Sequence, residues 1–484
     1  MSSEINNNNK KENGTDNNAV KEESKEQNNK NNRELLLANE AVGRLLLKFA
    51  IPSIIAMLVS ALYNIVDQFF IGRNVGELGN AATNIAFPLS TSCVAIALLF
   101  GIGGASAFNL AMGRGEKKVA GNYVGNAIAM MSAIGVILCA ISQIWLVPML
   151  SFFGSPDNVL DYAVEYTRIT AFGFPFLILA TGGGHLIRAD GSPSVTMICN
   201  LTGAVINTIL DYILIEMLGF GMKGAAVATL IGQMISAGIA IYYFAHYKTV
   251  KLSLKNLLPN PKYFGLVASL GLAPFINQLS MMIVQIIMNK SLKYYGSMSV
   301  YGEAIPIASV GIISKVSMVF FSFVIGISQG LQPIVSFNYG AKKYDRVKKG
   351  YFLACIAGFI LSAIAFLCFQ LLPRQIISLF GDGSQEYFDF AVRYFRVFLF
   401  FTFLNFSQPI TSNFFTAIGK PLKGAFLSLT RQIIFLLPLI LILPVYMGMD
   451  GIMYAGPIAD FTAFIVAAFM MFLELRHKEF RKNN

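Results

Sequence analysis

Long stretches in which apolar side chains run on almost without charge recur from residue 45 to residue 475, separated by short polar connections. A helix rises about 1.5 Å per residue, so a run of some 20 such residues crosses the roughly 30 Å of hydrocarbon in a bilayer. Twelve spans are predicted: Leu45 to Ile71, Ala82 to Met112, Tyr123 to Leu146, Tyr162 to Leu186, Ser194 to Leu218, Ala225 to Ala245, Tyr263 to Leu292, Ile305 to Phe337, Tyr351 to Leu372, Tyr394 to Ala417, Leu422 to Met447 and Ile452 to Leu475. The pattern is also written twice in the same direction. Pro52 is answered by Pro274; Gly101, Gly115, Lys117 and Lys118 recur as Gly326, Gly340, Lys342 and Lys343, an offset of 225 (326 − 101); Gly191 and Pro193 recur as Gly419 and Pro421, an offset of 228 (419 − 191). The expected fold is an all-α membrane protein with two pseudo-twofold-related six-helix lobes, residues 41–247 and 263–475, joined by a loop at 248–262. Paired halves of this kind are the architecture of transporters that rock about a central site.

Composition changes the picture only at the ends. With 55% hydrophobic and 13% charged residues and a mean hydropathy of +0.60, the chain cannot hide its apolar surface in one soluble core. Residues 1–40 are rich in Asn, Lys and Glu and are expected to be a disordered tail with no cleavable signal. Residues 476–484 form a short basic tail. Cations gather in every second connection, among them Arg114, Lys117 and Lys118, then Lys248, Lys251, Lys255 and Lys262, then Lys342, Lys343 and Arg346. The opposite loops carry acids, including Asp157, Asp161, Glu165, Asp382, Glu386 and Asp389. The basic connections are therefore expected in the cytoplasm together with both termini, in a multi-pass protein of the cell membrane. This bias and the tail explain the net charge of +11, and no basic-aromatic module points to nucleic acid. Arg188, Arg393 and Arg396, near span ends, read as interface anchors.

The chemistry-bearing residues exclude more than they suggest. Five cysteines, all within apolar runs and none in a CxxC pair, read as structural small residues. The three histidines are isolated, and neither a phosphate-binding loop nor a nucleophile elbow is present. An enzyme is not expected, nor a cofactor, and an ion gradient becomes the default source of energy.

Polar groups inside the spans are where function is to be sought, because a charge at a helix centre costs about 2.5–3.5 kcal/mol on insertion scales. Asp67 lies in the outer half of the first span and Asp211 in the outer half of the fifth, with Asn207 one turn before it on the same face. Both spans run the same way, so the acids share a depth. Two carboxylates close together in a poorly polarisable medium repel, which favours a held proton, while Asn207 can offer a neutral oxygen to Na⁺. The reading leaves H⁺ and Na⁺ open.

At these residues the chain resembles the MATE (multidrug and toxic compound extrusion) family, in particular its MepA-like branch. The resemblance is carried by Tyr63-Asn-Ile-Val-Asp67-Gln-Phe-Phe-Ile-Gly72-Arg73, by Asn207-Thr-Ile-Leu-Asp211, and by Gly326-Ile-Ser-Gln-Gly330-Leu-Gln-Pro333 running on to Gly340-Ala-Lys-Lys343. It implies an antiporter that exports bulky, often cationic amphiphiles, with Asp67, Asn207 and Asp211 at the cation site of the N-lobe. Sodium-type relatives also carry carboxylates in spans seven and ten; here those spans offer Asn277, Gln278, Asn405 and Gln408. An offset of 222 (274 − 52) puts Asn289 opposite Asp67, so coupling is expected from the N-lobe alone. Asn64, Gln278, Asn289, Lys315 and Gln408 are the candidate residues of a substrate cavity, and Gln329 and Gln332 are expected to tie helices together. Expected partners are small amphiphilic or cationic substrates and membrane lipids, with the protein a monomer. Two other readings are an exporter or flippase of an endogenous lipid-linked metabolite and a non-transporting membrane scaffold or sensor.

Overall fold

A computed structural model describes residues 37–476 except 154, 156, 303 and 380–383. Most of the expected N-terminal tail, the last eight residues and Asp382 lie outside the described residues. Twelve helices are long and apolar enough to span a membrane: α1 Val42–Asn74, α2 Leu78–Gly113, α3 Lys117–Ile144, α4 Val159–Ala189, α5 Pro193–Met217, α6 Gly221–Ala245, α7 Pro261–Ser297, α8 Ile305–Gly340, α9 Tyr344–Leu371, α10 Gln385–Ala417, α11 Pro421–Met447 and α12 Met449–Leu475. No strand occurs among the described residues. Several helices outrun the apolar stretch that announced them. The 37 residues of α7 would measure about 55 Å if straight, more than the hydrocarbon thickness, so its polar end turns stand outside that layer.

The repeat is visible in three dimensions. Gln143 donates to the Arg168 carbonyl at 2.7 Å, and Gln370 donates to the Arg396 carbonyl at 2.9 Å. Gly191 and Gly419 both adopt positive φ, 84° and 79°, which tightens the turns before α5 and α11. At the α2–α3 turn the structure corrects the sequence match. Gly115 has φ 81°, and its counterpart in the turn before α9 is Lys342, at φ 59°, rather than Gly340. The true offset there is 227 (342 − 115), and matching by glycine identity slid the halves by two residues.

The lobes meet at the end of the bundle that bears these basic turns. A methyl group placed on Gly326 would lie 2.6 Å from Ile54 Cα, and one on Gly330 2.6 Å from Ala50 Cα. Small residues thus let α8 lie directly on α1. On the other side, Gly103 meets the Val267 carbonyl and Gly271 that of Leu99. Gln332 donates to Ser106 Oγ at 2.8 Å and to the Ile102 carbonyl at 3.1 Å, tying α8 to α2 as expected.

Each lobe also grips the segment that leads into the other. Arg346 donates to the carbonyls of Leu37 at 3.1 Å and Glu40 at 2.6 Å, just ahead of α1. Asn126 donates to the Asn256 carbonyl at 3.2 Å and accepts from the Asn260 N–H at 2.8 Å, just ahead of α7. These two straps are related by the same pseudo-symmetry.

The antiparallel contacts Ala50 with Gly330 and Ile54 with Gly326 continue to Ser322, which donates to the Met57 carbonyl at a long 3.4 Å. One further heptad along the same stripe stand Asn64, exposed, and Lys315, half-buried. Continuing the α2–α7 register by the same step reaches Ser92 and Gln278, both half-buried. Asn64 is exposed although it lies on the stripe that packs on α8, which implies a cleft between the lobes beyond their closed, basic end.

Candidate functional site

A buried polar cluster of the N-lobe assembles from α1, α4, α5 and α6. Asp67 is 8% exposed and Asp211 fully buried. Their carboxyl groups come within hydrogen-bonding reach of each other. Tyr63, one turn before Asp67 on α1, and Tyr166 of α4 flank the acids, and Tyr166 also meets the Thr229 side chain. With its oxygen accepting the Thr229 N–H at 3.1 Å, the Asn207 amide donates to Asp211 Oδ2 at 3.1 Å. One oxygen of each acid, Oδ1 of Asp67 and of Asp211, is buried with no hydrogen-bond partner. A buried acceptor left in this way has its desolvation unrepaid.

Local structure holds the acids in place. Asp211 ends the regular helical part of α5 and is followed by a π-helical turn, Tyr212–Met217; such turns expose unpaired backbone and recur at functional sites. Within it Glu216 receives Arg73 at 3.3 Å and Asn74 at 2.7 Å, fastening the end of α5 to the end of α1. The two spans that carry the acids are thereby held together just beyond them.

The C-lobe contains a buried polar cluster of different chemistry that the sequence reading passed over. Asp460 of α12 receives Arg431 Nε of α11 at 2.6 Å and Asn405 Nδ2 of α10 at 2.9 Å. The Arg431 guanidinium also lies over the Phe321 ring of α8, 5.9 Å from its centroid. The signal was available, since Asp460 and Arg431 stand mid-way along two adjacent apolar runs, and opposite charges in neighbouring spans pair. The search of spans seven and ten alone missed it. A second correction concerns Arg188, expected as an interface anchor: it is only 3% exposed and donates to His185 Nδ1 at 3.2 Å.

Of the residues named for a substrate cavity, Asn64, Gln278 and Lys315 fall on the stripes that face across the cleft. Asn64 donates to the Ser60 carbonyl at 2.7 Å, leaving its amide oxygen available. Asn289 is exposed and accepts from Gln285 of its own helix at 3.1 Å. Gln408 is buried and donates to the Leu427 carbonyl at 2.9 Å, tying α10 to α11. No group of three or more His, Cys, Asp or Glu side chains able to hold a metal occurs among the described residues.

Twelve spans in two related lobes, with a pair of acids buried inside one of them, have the architecture of a membrane transporter. The particular family follows from comparison with known proteins. The MatE family model matches residues 52–213 and 274–442, one block in each half and together well over half of the chain, and the chain belongs to that family. It is 24% identical over 436 residues to the multidrug export protein MepA of Staphylococcus haemolyticus, covering 90% of this chain and 94% of the relative. The MepA of Staphylococcus aureus strain MSSA476 is 22% identical over the same shares. Among solved structures, a MOP superfamily transporter from Pyrococcus furiosus superposes with a TM-score of 0.85 at 22% identity, covering 91% of this chain and 97% of its own. The outward-facing conformation of a multidrug resistance MATE family transporter gives 0.85 at 22% identity, with 92% and 99% covered. These likenesses bear out the expected fold and the family.

Proposed function

We propose that the chain exports bulky, often cationic amphiphilic compounds from the cell, driven by the inward movement of a cation through the N-lobe. The observation that carries this reading is the buried contact between Asp67 and Asp211, each with an orphaned oxygen, inside one of two related lobes. Two carboxyl groups make a hydrogen bond to each other only if one carries a proton, so H⁺ is the coupling ion this arrangement favours. Asn207, whose oxygen accepts from Thr229, gives Asp211 a donor rather than giving a metal cation an oxygen. With the basic turns in the cytoplasm, the cleft opens outwards. Substrate and proton then bias the same two packings of the lobes in opposite directions, which requires each to bind those packings unequally.

The test is reconstitution of the full chain in liposomes with a fluorescent cation such as ethidium inside. An imposed pH gradient should drive efflux at equal sodium on both sides. Efflux driven by sodium alone would replace the coupling ion; efflux driven by neither, with the protein folded, would sink the antiport reading.

A further inference from the structure

A cavity of about 550 Å³ opens at the edge of the C-lobe, far from the cleft, where α9 ends, the short helix Pro373–Ser378 follows and α10 begins. Three arginines line it, Arg374, Arg393 and Arg396, against one carboxylate, Asp389. Arg393 is paired with Asp450 at 2.9 Å. Arg374 reaches only the neutral Gln385, at 3.2 Å, and the ring of Phe388, 5.2 Å from its centroid. Asp389 accepts from Gln385 at 2.9 Å and from none of the arginines. Arg396 makes no ion pair among the described residues. Apart from Gln375 the remaining wall is apolar, with Leu371, Pro373, Phe388, Val392 and Val397, and exposed Leu367, Leu371 and Phe400 carry the lipid-facing surface of α9 and α10 up to the rim.

The fold does not require this charge. The N-lobe has the same corner, where α3 ends, the short helix Leu146–Phe152 follows and α4 begins, closed by the same glutamine-to-carbonyl bond. At the offset of 227 to 228 that this bond defines (370 − 143 and 396 − 168), Val147 stands in place of Arg374 and Glu165 in place of Arg393, with Arg168 for Arg396. Glu165 is spent on Lys223 at 3.7 Å. Two of the three guanidinium groups are therefore particular to the C-lobe.

We infer that this corner is a binding site for the phosphate group of an anionic phospholipid. Guanidinium forks match phosphate oxygens in geometry as well as charge. The site lies at the end of two membrane spans, at the depth of lipid headgroups, and its apolar wall runs into the lipid-facing surface, where acyl chains lie. A free phosphate ion shares the headgroup chemistry but has no use for that wall.

The experiment is native mass spectrometry of the full chain in detergent, titrated with phosphatidylglycerol, phosphatidylcholine or inorganic phosphate. The wild-type chain should retain phosphatidylglycerol over phosphatidylcholine by about tenfold at its tightest site, a modest charge-assisted gain. Arg374→Gln with Arg396→Gln should abolish that preference, whereas Arg168→Gln at the N-lobe corner should keep it. Arg396→Gln alone breaks no bond of its side chain in the structure and should still cost severalfold, so a folding failure of the double variant does not decide the outcome. No preference in the wild-type chain, an equal loss in Arg168→Gln, or phosphate binding without discrimination between the two lipids would each overturn the assignment.

Discussion

The two lobes are copies in backbone and differ in the buried acids of one cluster each. In the N-lobe two acids face each other and each keeps an oxygen without a partner. In the C-lobe the one buried acid of the α10–α12 cluster, Asp460, is held by an arginine and an amide. A buried acid without a counter-ion can be neutralised by taking up a proton. A paired and hydrogen-bonded ion stays paired, because separating it strands a charge in a poorly polarisable interior. Duplication thus kept the helices and changed the buried polar groups: an acid pair with orphaned oxygens in one lobe, an ion pair that ties three helices in the other.

The largest test of that contrast is to remove the acids of the N-lobe. Asp67→Asn and Asp211→Asn should each bring gradient-driven efflux in proteoliposomes to background with the protein still folded, because an amide keeps the size and hydrogen bonds but cannot exchange a proton. The double variant should be no worse than the poorer single one, since residues that act as one unit are not additive. Full transport in either single variant would remove that residue from coupling.

In the C-lobe the expected effect is on stability. Asp460→Asn leaves the Arg431 charge buried without its counter-ion and should destabilise by about 3–5 kcal/mol, read as a fall in melting temperature in detergent. Arg431→Met together with Asp460→Leu should recover most of that loss, as apolar replacements of buried ion pairs do. Transport that survives in the double variant should keep its dependence on the pH gradient; loss of that dependence with substrate binding retained would show that coupling spans both lobes.

Smaller effects are expected at the C-lobe polar positions of α7. Gln278→Ala and Asn289→Ala should change apparent substrate affinity by a few-fold and leave the dependence on the ion untouched, measured as KM for two dissimilar cations at fixed gradient. Gln278 lies on the stripe facing the cleft, whereas Asn289 bonds to Gln285 of its own helix, so the larger change is expected at Gln278.

The smallest contrast is in a turn. Gly115 and Lys342 occupy the same left-handed position of the two lobes, at φ 81° and 59°. A side chain there costs about 1 kcal/mol, so Lys342→Gly should stabilise slightly and Gly115→Ala should destabilise by a similar amount in a thermal melt. Equal and negligible shifts would mean that the two turns are not equivalent.

The amino-acid sequence by itself determined the twelve spans, the duplication, and that Asp67, Asn207 and Asp211 share one depth. Hydropathy and helical period are properties of neighbours along the chain, and a membrane forces every apolar run of sufficient length into the same kind of element. It also marked Asn64, Gln278 and Lys315 as polar positions worth attention. What it could not supply were meetings between residues distant in the chain and the local geometry of single turns. That Asp67 touches Asp211 and that three arginines converge on one corner were decided by the tertiary structure, as were the burial of Arg188 and the bend at Lys342 rather than Gly340. Helices in a bilayer pack through small residues and side-chain shape, and that fit depends on all the neighbouring helices at once.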